Sequence, residues 1–74
     1  MADFIEQLIE ALEAEDPLDA GTVLVEVEEW DSLGTLAVVS MVSDEYGVSL
    51  ASEELVAVQT VADLWQLVQS KSEG

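Results

Sequence analysis

One strand-like segment stands alone in a sequence whose other apolar residues follow a helical spacing. Residues 22–27, TVLVEV, have the composition of a strand, but no second convincing strand accompanies them. A lone strand leaves its backbone groups unpaired, so the sequence predicts an all-α fold. Asp16-Pro17 and Gly21 interrupt helices. We therefore expect residues 15–31 to form a long ordered loop whose Val and Leu side chains fill the core.

The first predicted helix lies before this loop and the second directly after it. Residues 3–12 place their apolar side chains on one helical face, and Asp3 with Glu6 resembles a capping box. Residues 32–46 fit the second helix, and Gly47 supplies its stop signal. The predicted core face of this second helix consists of Leu33, Leu36, Val39, Val42 and Tyr46.

A short third helix and a longer fourth helix complete the predicted bundle. Ser52 is expected to cap the third helix, over residues 52–56. Thr60 to Asp63 has the capping-box spacing that opens the fourth helix, which we expect to end near Gln69 and to leave residues 70–74 as a frayed tail. All 74 residues then form one domain, a small four-helix bundle with three main helices and one short one.

The charge of the chain narrows the functions open to such a bundle. Seventeen acidic residues accompany a single basic one, Lys71, and the formal net charge is −16. Nucleic acid is excluded as a partner because phosphate binding requires cationic side chains. No segment has the length of apolar sequence that membrane insertion requires. We expect a cytoplasmic monomer that attracts partners with a basic docking surface.

The chain lacks most of the residues that catalysis requires. It contains no His and no Cys, which rules out a Ser–His triad, a thiol nucleophile and a zinc site built from those ligands. The EF-hand pattern fits neither the register set by Gly34 nor that set by Gly47. We therefore expect no enzymatic activity and no specific metal site.

Ser32 is the remaining candidate for chemistry, at the start of the second helix. It lies in the tripeptide Asp31-Ser32-Leu33, where a strongly acidic segment gives way to twelve uncharged residues, 32–43. The residues alone leave two interpretations open. Ser32 is either the N-cap of the helix, which is the commoner role for an isolated Asp-Ser before a helix, or an exposed hydroxyl that another enzyme modifies.

Three signals at matching spacing resemble the acyl carrier protein family over nearly the whole chain. They are Asp31-Ser32-Leu33, then Tyr46-Gly47-Val48-Ser49-Leu50 after the second helix, and Thr60-Val61-Ala62-Asp63-Leu64 at the start of the last. The resemblance implies that Ser32, with Asp31 and Leu33 as its motif neighbours, carries a covalent 4′-phosphopantetheine. The thiol of that arm holds an acyl or aminoacyl group, which explains how a carrier can lack cysteine.

The resemblance also implies a function and a set of partners. The function is to present thioester-linked intermediates in fatty-acid, polyketide or related biosynthesis. The partners are a phosphopantetheinyl transferase, an acyl-loading ligase or acyltransferase, and a ketosynthase or other acyl-transferring enzyme. The alternative is a carrier-like acidic module that acts only as a protein-binding adaptor. For Asp31, capping the helix and serving the modifying enzyme are both open.

The sequence departs from the usual pattern of that family at three positions. Trp30 replaces a glycine, and it is either a core aromatic or a contact for the arm or a partner. Gly34 and Ala37 replace acidic residues that many carriers place there. We therefore predict a largely uncharged docking face on the second helix, turned away from its core face. Its predicted residues are Gly34, Ala37, Met41, Asp44 and Glu45.

Overall fold

The structure is a computed structural model that describes residues 2–73, and its helices confirm the all-α prediction. In chain order the elements are α1 (Ala2–Leu12), a 3₁₀ turn (Leu24–Glu26), α2 (Ser32–Tyr46), α3 (Ser52–Ala57) and α4 (Val61–Glu73). Within these residues the strand-like segment 22–27 forms one isolated antiparallel bridge, between Val23 and Thr60, followed by the 3₁₀ turn. The rejection of a sheet was therefore correct, and the second helix has the predicted bounds.

The long loop between α1 and α2 is anchored to the start of α4. The N–H of Leu24 donates to the carbonyl oxygen of Gln59 at 2.8 Å, and the N–H of Val61 donates to that of Thr22 at 3.1 Å. Leu24 is fully buried and fills the core as predicted, whereas Val25 is 72% exposed. Only some of the loop's apolar side chains therefore enter the core as expected.

The core lies between all four helices and ends in an aromatic cluster. Its fully buried side chains include Phe4 and Leu8 of α1 and Leu64 and Val68 of α4. The ring of Phe4 lies 4.8 Å from that of Trp65 and 6.0 Å from that of Tyr46, between centroids. The Tyr46 hydroxyl donates to Gln7 Oε1 at 2.5 Å. Burial raises the pKa of Tyr46, and the nearby carboxylates of Asp3 and Glu45 add to that effect.

Two of the three predicted helix caps are corrected by the structure. Helix α1 already begins at Ala2, so Asp3 lies in its first turn and not at an N-cap position. Ala51 is the N-cap residue of α3, and its N–H donates to Glu54 Oε1 at 3.0 Å, so Ser52 does not cap that helix. The expected box before α4 is confirmed, since the N–H of Asp63 donates to Thr60 Oγ1 at 3.2 Å.

The last turn of α4 replaces the frayed tail expected for residues 70–74. The helix continues past Gln69 to Glu73, and Gly74 lies outside the described residues. Lys71 explains the extension, because its Nζ lies 2.5 Å from Glu54 Oε1 and 3.1 Å from the carbonyl oxygen of Ser49. This hydrogen bond from Lys71, with help from the Ala51 N–H, holds the pKa of Glu54 below its usual range.

The core face predicted for α2 is partly wrong. Leu33 is 78% exposed and Leu36 is 61% exposed, whereas Val42 is buried as predicted and Val39 and Tyr46 are half-buried. The buried residues of α2 are Gly34, Val38 and Val42, which are spaced four residues apart. Because residues 32–43 carry no charge, no charged residue in this segment distinguishes the buried stripe from the exposed one. The buried stripe consists of a glycine and two valines, which are smaller than the exposed leucines.

Candidate functional site

Asp31 caps the helix that presents Ser32. Its backbone is extended, with φ −124° and ψ −170°, and its side-chain Oδ1 accepts a hydrogen bond from the N–H of Gly34 at 2.8 Å. The Asp31 carbonyl oxygen accepts from the N–H of Thr35 at 2.8 Å. Both contacts are those of an N-cap residue. Of the two roles left open for Asp31, the capping role is therefore confirmed.

Ser32 is the first residue of α2, and its hydroxyl is not needed for the helix. The residue is exposed, and within residues 2–73 its Oγ forms no hydrogen bond. Its carbonyl oxygen accepts from Thr35 Oγ1 at 3.1 Å. Since Asp31 occupies the N-cap position, the capping interpretation of Ser32 is wrong. A free hydroxyl at the surface is what a covalent modification requires.

The electrostatic surroundings of Ser32 combine opposite influences. The N-terminus of a helix carries a partial positive charge, which favours an attached phosphate group. The carboxylate of Asp31 is adjacent and opposes it, and Glu29 lies two residues earlier. No acidic residue lies in the first turn of α2 itself. A phosphodiester at Ser32 would thus be fixed by its covalent bond more than by its charge.

Gly34 does not belong to an exposed docking face, which corrects the prediction made for it. It is buried on the side of α2 that faces α1 and the preceding loop. A Cβ atom at this position would lie 1.9 Å from the carbonyl oxygen of Glu29 and 3.0 Å from Leu12 Cδ2. The backbone before Ser32 therefore packs directly on the first turn of α2.

The other predicted docking residues come together in a groove between α1 and α2. This open groove has a volume of about 420 Å³, and Gln7, Glu10 and Ala11 of α1 form one side. Ala37 and Met41 are half-buried there, so they are turned toward α1 and not directly away from the core. The α2 side of the groove consists of Ala37, Ser40, Met41, Asp44 and Glu45.

Sequence reasoning missed the two leucines that stand beside Ser32 on the surface. Leu33 follows the serine directly, and Leu36 is one turn further along α2, so both lie near Ser32. Exposed leucines at these positions are the apolar part of the site. The four-residue spacing of Gly34, Val38 and Val42 could have indicated that this stripe, and not the leucines, is buried. A glycine at the end of an apolar stripe permits close packing of two helices.

Trp30 is half-buried and packs against the core. Its N–H donates to the carbonyl oxygen of Val27 at 3.0 Å, which closes a turn just before Asp31. This position supports the core interpretation of Trp30.

Residues 2–73 hold neither a cluster of metal ligands nor a membrane-spanning helix. No group of three or more acidic side chains is arranged to hold a metal ion in this part of the chain. None of its helices has the length and apolar composition needed to cross a membrane.

Comparisons with known proteins identify the class to which this fold and site belong. A family model described as a phosphopantetheine attachment site matches residues 3–68. The solution NMR structure of a holo acyl carrier protein from Geobacter metallireducens superimposes with a TM-score of 0.75 at 22% identity, covering 95% of this chain and 82% of that one. No match to a curated protein sequence was found. The class is that of phosphopantetheine-bearing carrier domains.

The chain belongs to the acyl carrier protein family, because the family match covers most of its length. It is therefore a carrier with a covalent 4′-phosphopantetheine arm and not an enzyme. Its partners are a phosphopantetheinyl transferase and enzymes that handle acyl groups. The chemistry of the site fits the arm, since an exposed serine hydroxyl can form the phosphodiester.

Proposed function

We propose that Ser32 is the residue that carries the 4′-phosphopantetheine arm. The observation that supports this most directly is that two different residues cap α2 and expose a hydroxyl at its start. Asp31 caps the helix, and Ser32 keeps an exposed hydroxyl with no hydrogen bond in residues 2–73. Leu33 and Asp31 complete the motif on either side. The adaptor alternative requires no such hydroxyl.

The attachment is a transfer from coenzyme A to Ser32 that the partner transferase catalyses. A bond forms between Ser32 Oγ and the phosphorus next to pantetheine, and the phosphoanhydride bond of coenzyme A breaks. Adenosine bisphosphate leaves, and the serine proton passes to a base of the transferase. When bound, the arm supplies a terminal thiol that holds an acyl group as a thioester. The chain's own part is to orient the hydroxyl and to dock.

The cargo is an acyl or aminoacyl intermediate of fatty-acid, polyketide or related biosynthesis. An acyl-loading ligase or acyltransferase adds it, and a ketosynthase or another transferring enzyme removes it. The carrier acts as a cytoplasmic monomer. Its advantage is effective concentration, because one tethered arm presents the intermediate to successive active sites.

The docking face of this carrier combines exposed apolar and acidic side chains. Leu33 and Leu36 are exposed next to Ser32, and Asp44 and Glu45 are exposed at the far end of α2. Ala37 and Met41, at the edge of the α1–α2 groove, continue the surface. A partner with an apolar centre and a basic rim complements this arrangement.

The decisive experiment is to incubate the chain with coenzyme A and a broad-specificity phosphopantetheinyl transferase and to measure the intact mass. The native chain and Ser40→Ala, which removes another exposed serine of α2, should each gain one phosphopantetheine. Ser32→Ala should gain none. An unmodified native chain, or an equal gain on Ser32→Ala, would refute the assignment and favour the adaptor.

A further inference from the structure

Gly34 is a buried glycine with an ordinary helical backbone, so its lack of a side chain needs another explanation. Among the glycines whose surroundings are described, only Gly47 has a positive φ. At Gly34 the carbonyl oxygen of Glu29 occupies the space that a Cβ atom would need, at 1.9 Å. Leu12 Cδ2 of α1 would lie 3.0 Å from the same Cβ atom. Two separate segments, the loop and α1, therefore restrict the space at this position.

A side chain at position 34 would displace backbone atoms and not merely a flexible side chain. Real Cβ atoms essentially never approach another heavy atom closer than 3.0 Å, whereas the distance here is 1.9 Å. The difference is 1.1 Å, which is the least by which Glu29 or α2 would have to move. Leu12 is buried in the core, so α2 cannot tilt freely toward α1. The loop is the part that can yield.

That loop backbone is linked by hydrogen bonds to the residues around Ser32. The Glu29 carbonyl oxygen accepts from the N–H of Asp31 at 2.9 Å. The Asp31 carboxylate accepts in turn from the N–H of Gly34 at 2.8 Å. Ser32 follows Asp31 directly and lies within the turn that the second contact closes. A shift at Glu29 would therefore move Asp31 and change the direction of the Ser32 Cα–Cβ bond.

We propose that Gly34 is a positioning residue for Ser32, and that it fixes the backbone of residues 29–32 in the position from which the serine hydroxyl can reach the transferase. The proposal depends on Ser32 being the attachment point. It assigns Gly34 a role inside the site instead of on the docking face. A misplacement of about 1 Å can lower the rate of a transfer about a hundredfold.

The test is to measure kcat and KM of phosphopantetheine transfer from coenzyme A onto Gly34→Ala. We expect kcat to fall at least about tenfold with a smaller change in KM, because the hydroxyl is misdirected after the carrier has docked. Two-dimensional NMR of the same variant should show amide shift changes concentrated in residues 28–35. Gly21→Ala is the matched control, since its nearest neighbour beyond the adjacent residues would lie 3.6 Å from the new Cβ atom.

A second control distinguishes an effect of Gly34→Ala on the position of Ser32 from an effect on the stability of the bundle. Val68→Ala removes buried core atoms of α4 far along the chain from Ser32, and it should lower the melting temperature while kcat stays within about twofold. Native-like kcat for Gly34→Ala, or an equal loss in Val68→Ala, would overturn the positioning role but leave Ser32 as the attachment point. An unfolded Gly34→Ala would also overturn it, by assigning Gly34 to the stability of the bundle. Loss of transfer in the native chain would instead refute the attachment itself.

Discussion

The N-termini of α2 and α4 use the same capping chemistry for opposite purposes. Asp31 caps α2 through the N–H of Gly34, and Thr60 caps α4 through the N–H of Asp63. The next residue is the exposed Ser32 in α2 and the fully buried Val61 in α4. The same helical position thus exposes a hydroxyl at the surface in one helix and fills the core in the other.

The two helix starts also differ in how their backbone N–H groups are used. In α4 the N–H of Val61 donates to Thr22 at 3.1 Å, and the N–H of Ala62 donates to Ala20 at 3.0 Å. In α2 the N–H groups of Ser32 and Leu33 donate no hydrogen bond within residues 2–73. The loop between α1 and α2 covers the start of α4, whereas the first N–H groups of α2 have no protein partner within residues 2–73. The start of α2 is therefore capped but not covered by the rest of the fold.

The largest difference in stability between the two helix starts should come from changing the first residue, Val61 in α4 and Ser32 in α2. We expect Val61→Ser to lower the free energy of unfolding by about 2–4 kcal/mol, because it removes buried methyl groups and buries a hydroxyl. Ser32→Ala should change it by less than about 0.5 kcal/mol, because the side chain is exposed. Urea unfolding at neutral pH measures both. A large loss of stability in Ser32→Ala would show that its hydroxyl has a structural partner.

A smaller and equal effect on stability should come from removing either cap. Asp31→Ala and Thr60→Ala should each lower the free energy of unfolding by about 1 kcal/mol. Only Asp31→Ala should slow phosphopantetheine transfer, since its carboxylate organises the turn that contains Ser32. Urea unfolding and the intact-mass assay measure the two properties separately. Equal transfer rates for the two variants would mean that the cap of α2 is only structural.

The sequence predicted most of the helices because their start and stop signals are local. Gly47 ends α2 in the left-handed conformation, with φ 65°, and the Thr60–Asp63 box opens α4. The extension of α4 could not be predicted in this way, because it depends on Lys71 meeting Glu54 in another helix. Contacts between distant segments are not encoded in a local pattern.

The assignment of Ser32 as the attachment point stays a prediction, made from its neighbours along the chain. The orientation of α2 was predicted wrongly in part, because its buried stripe had to be chosen between two apolar faces. Leucine is among the residues most often buried, yet Leu33 and Leu36 are exposed. The choice depends on how closely α2 can approach α1, and Gly34 permits the closer packing.

The smallest effect on stability should come from Leu36, the exposed leucine one turn after Ser32. We expect Leu36→Gln to change the free energy of unfolding by less than about 0.5 kcal/mol, because Leu36 is 61% exposed and glutamine is a good helix former. Its counterpart in the first two turns of α4 is the fully buried Leu64, where the same change should be severely destabilising. Partner docking, however, should lose an apolar contact in Leu36→Gln. We therefore expect kcat/KM for phosphopantetheine transfer to fall several-fold through KM, while Gln66→Ala, on an exposed position of α4, leaves it unchanged. If phosphopantetheine is transferred to Leu36→Gln as efficiently as to the native chain, Leu36 does not contact the transferase. The start of α2 would then contribute the serine hydroxyl but no apolar contact.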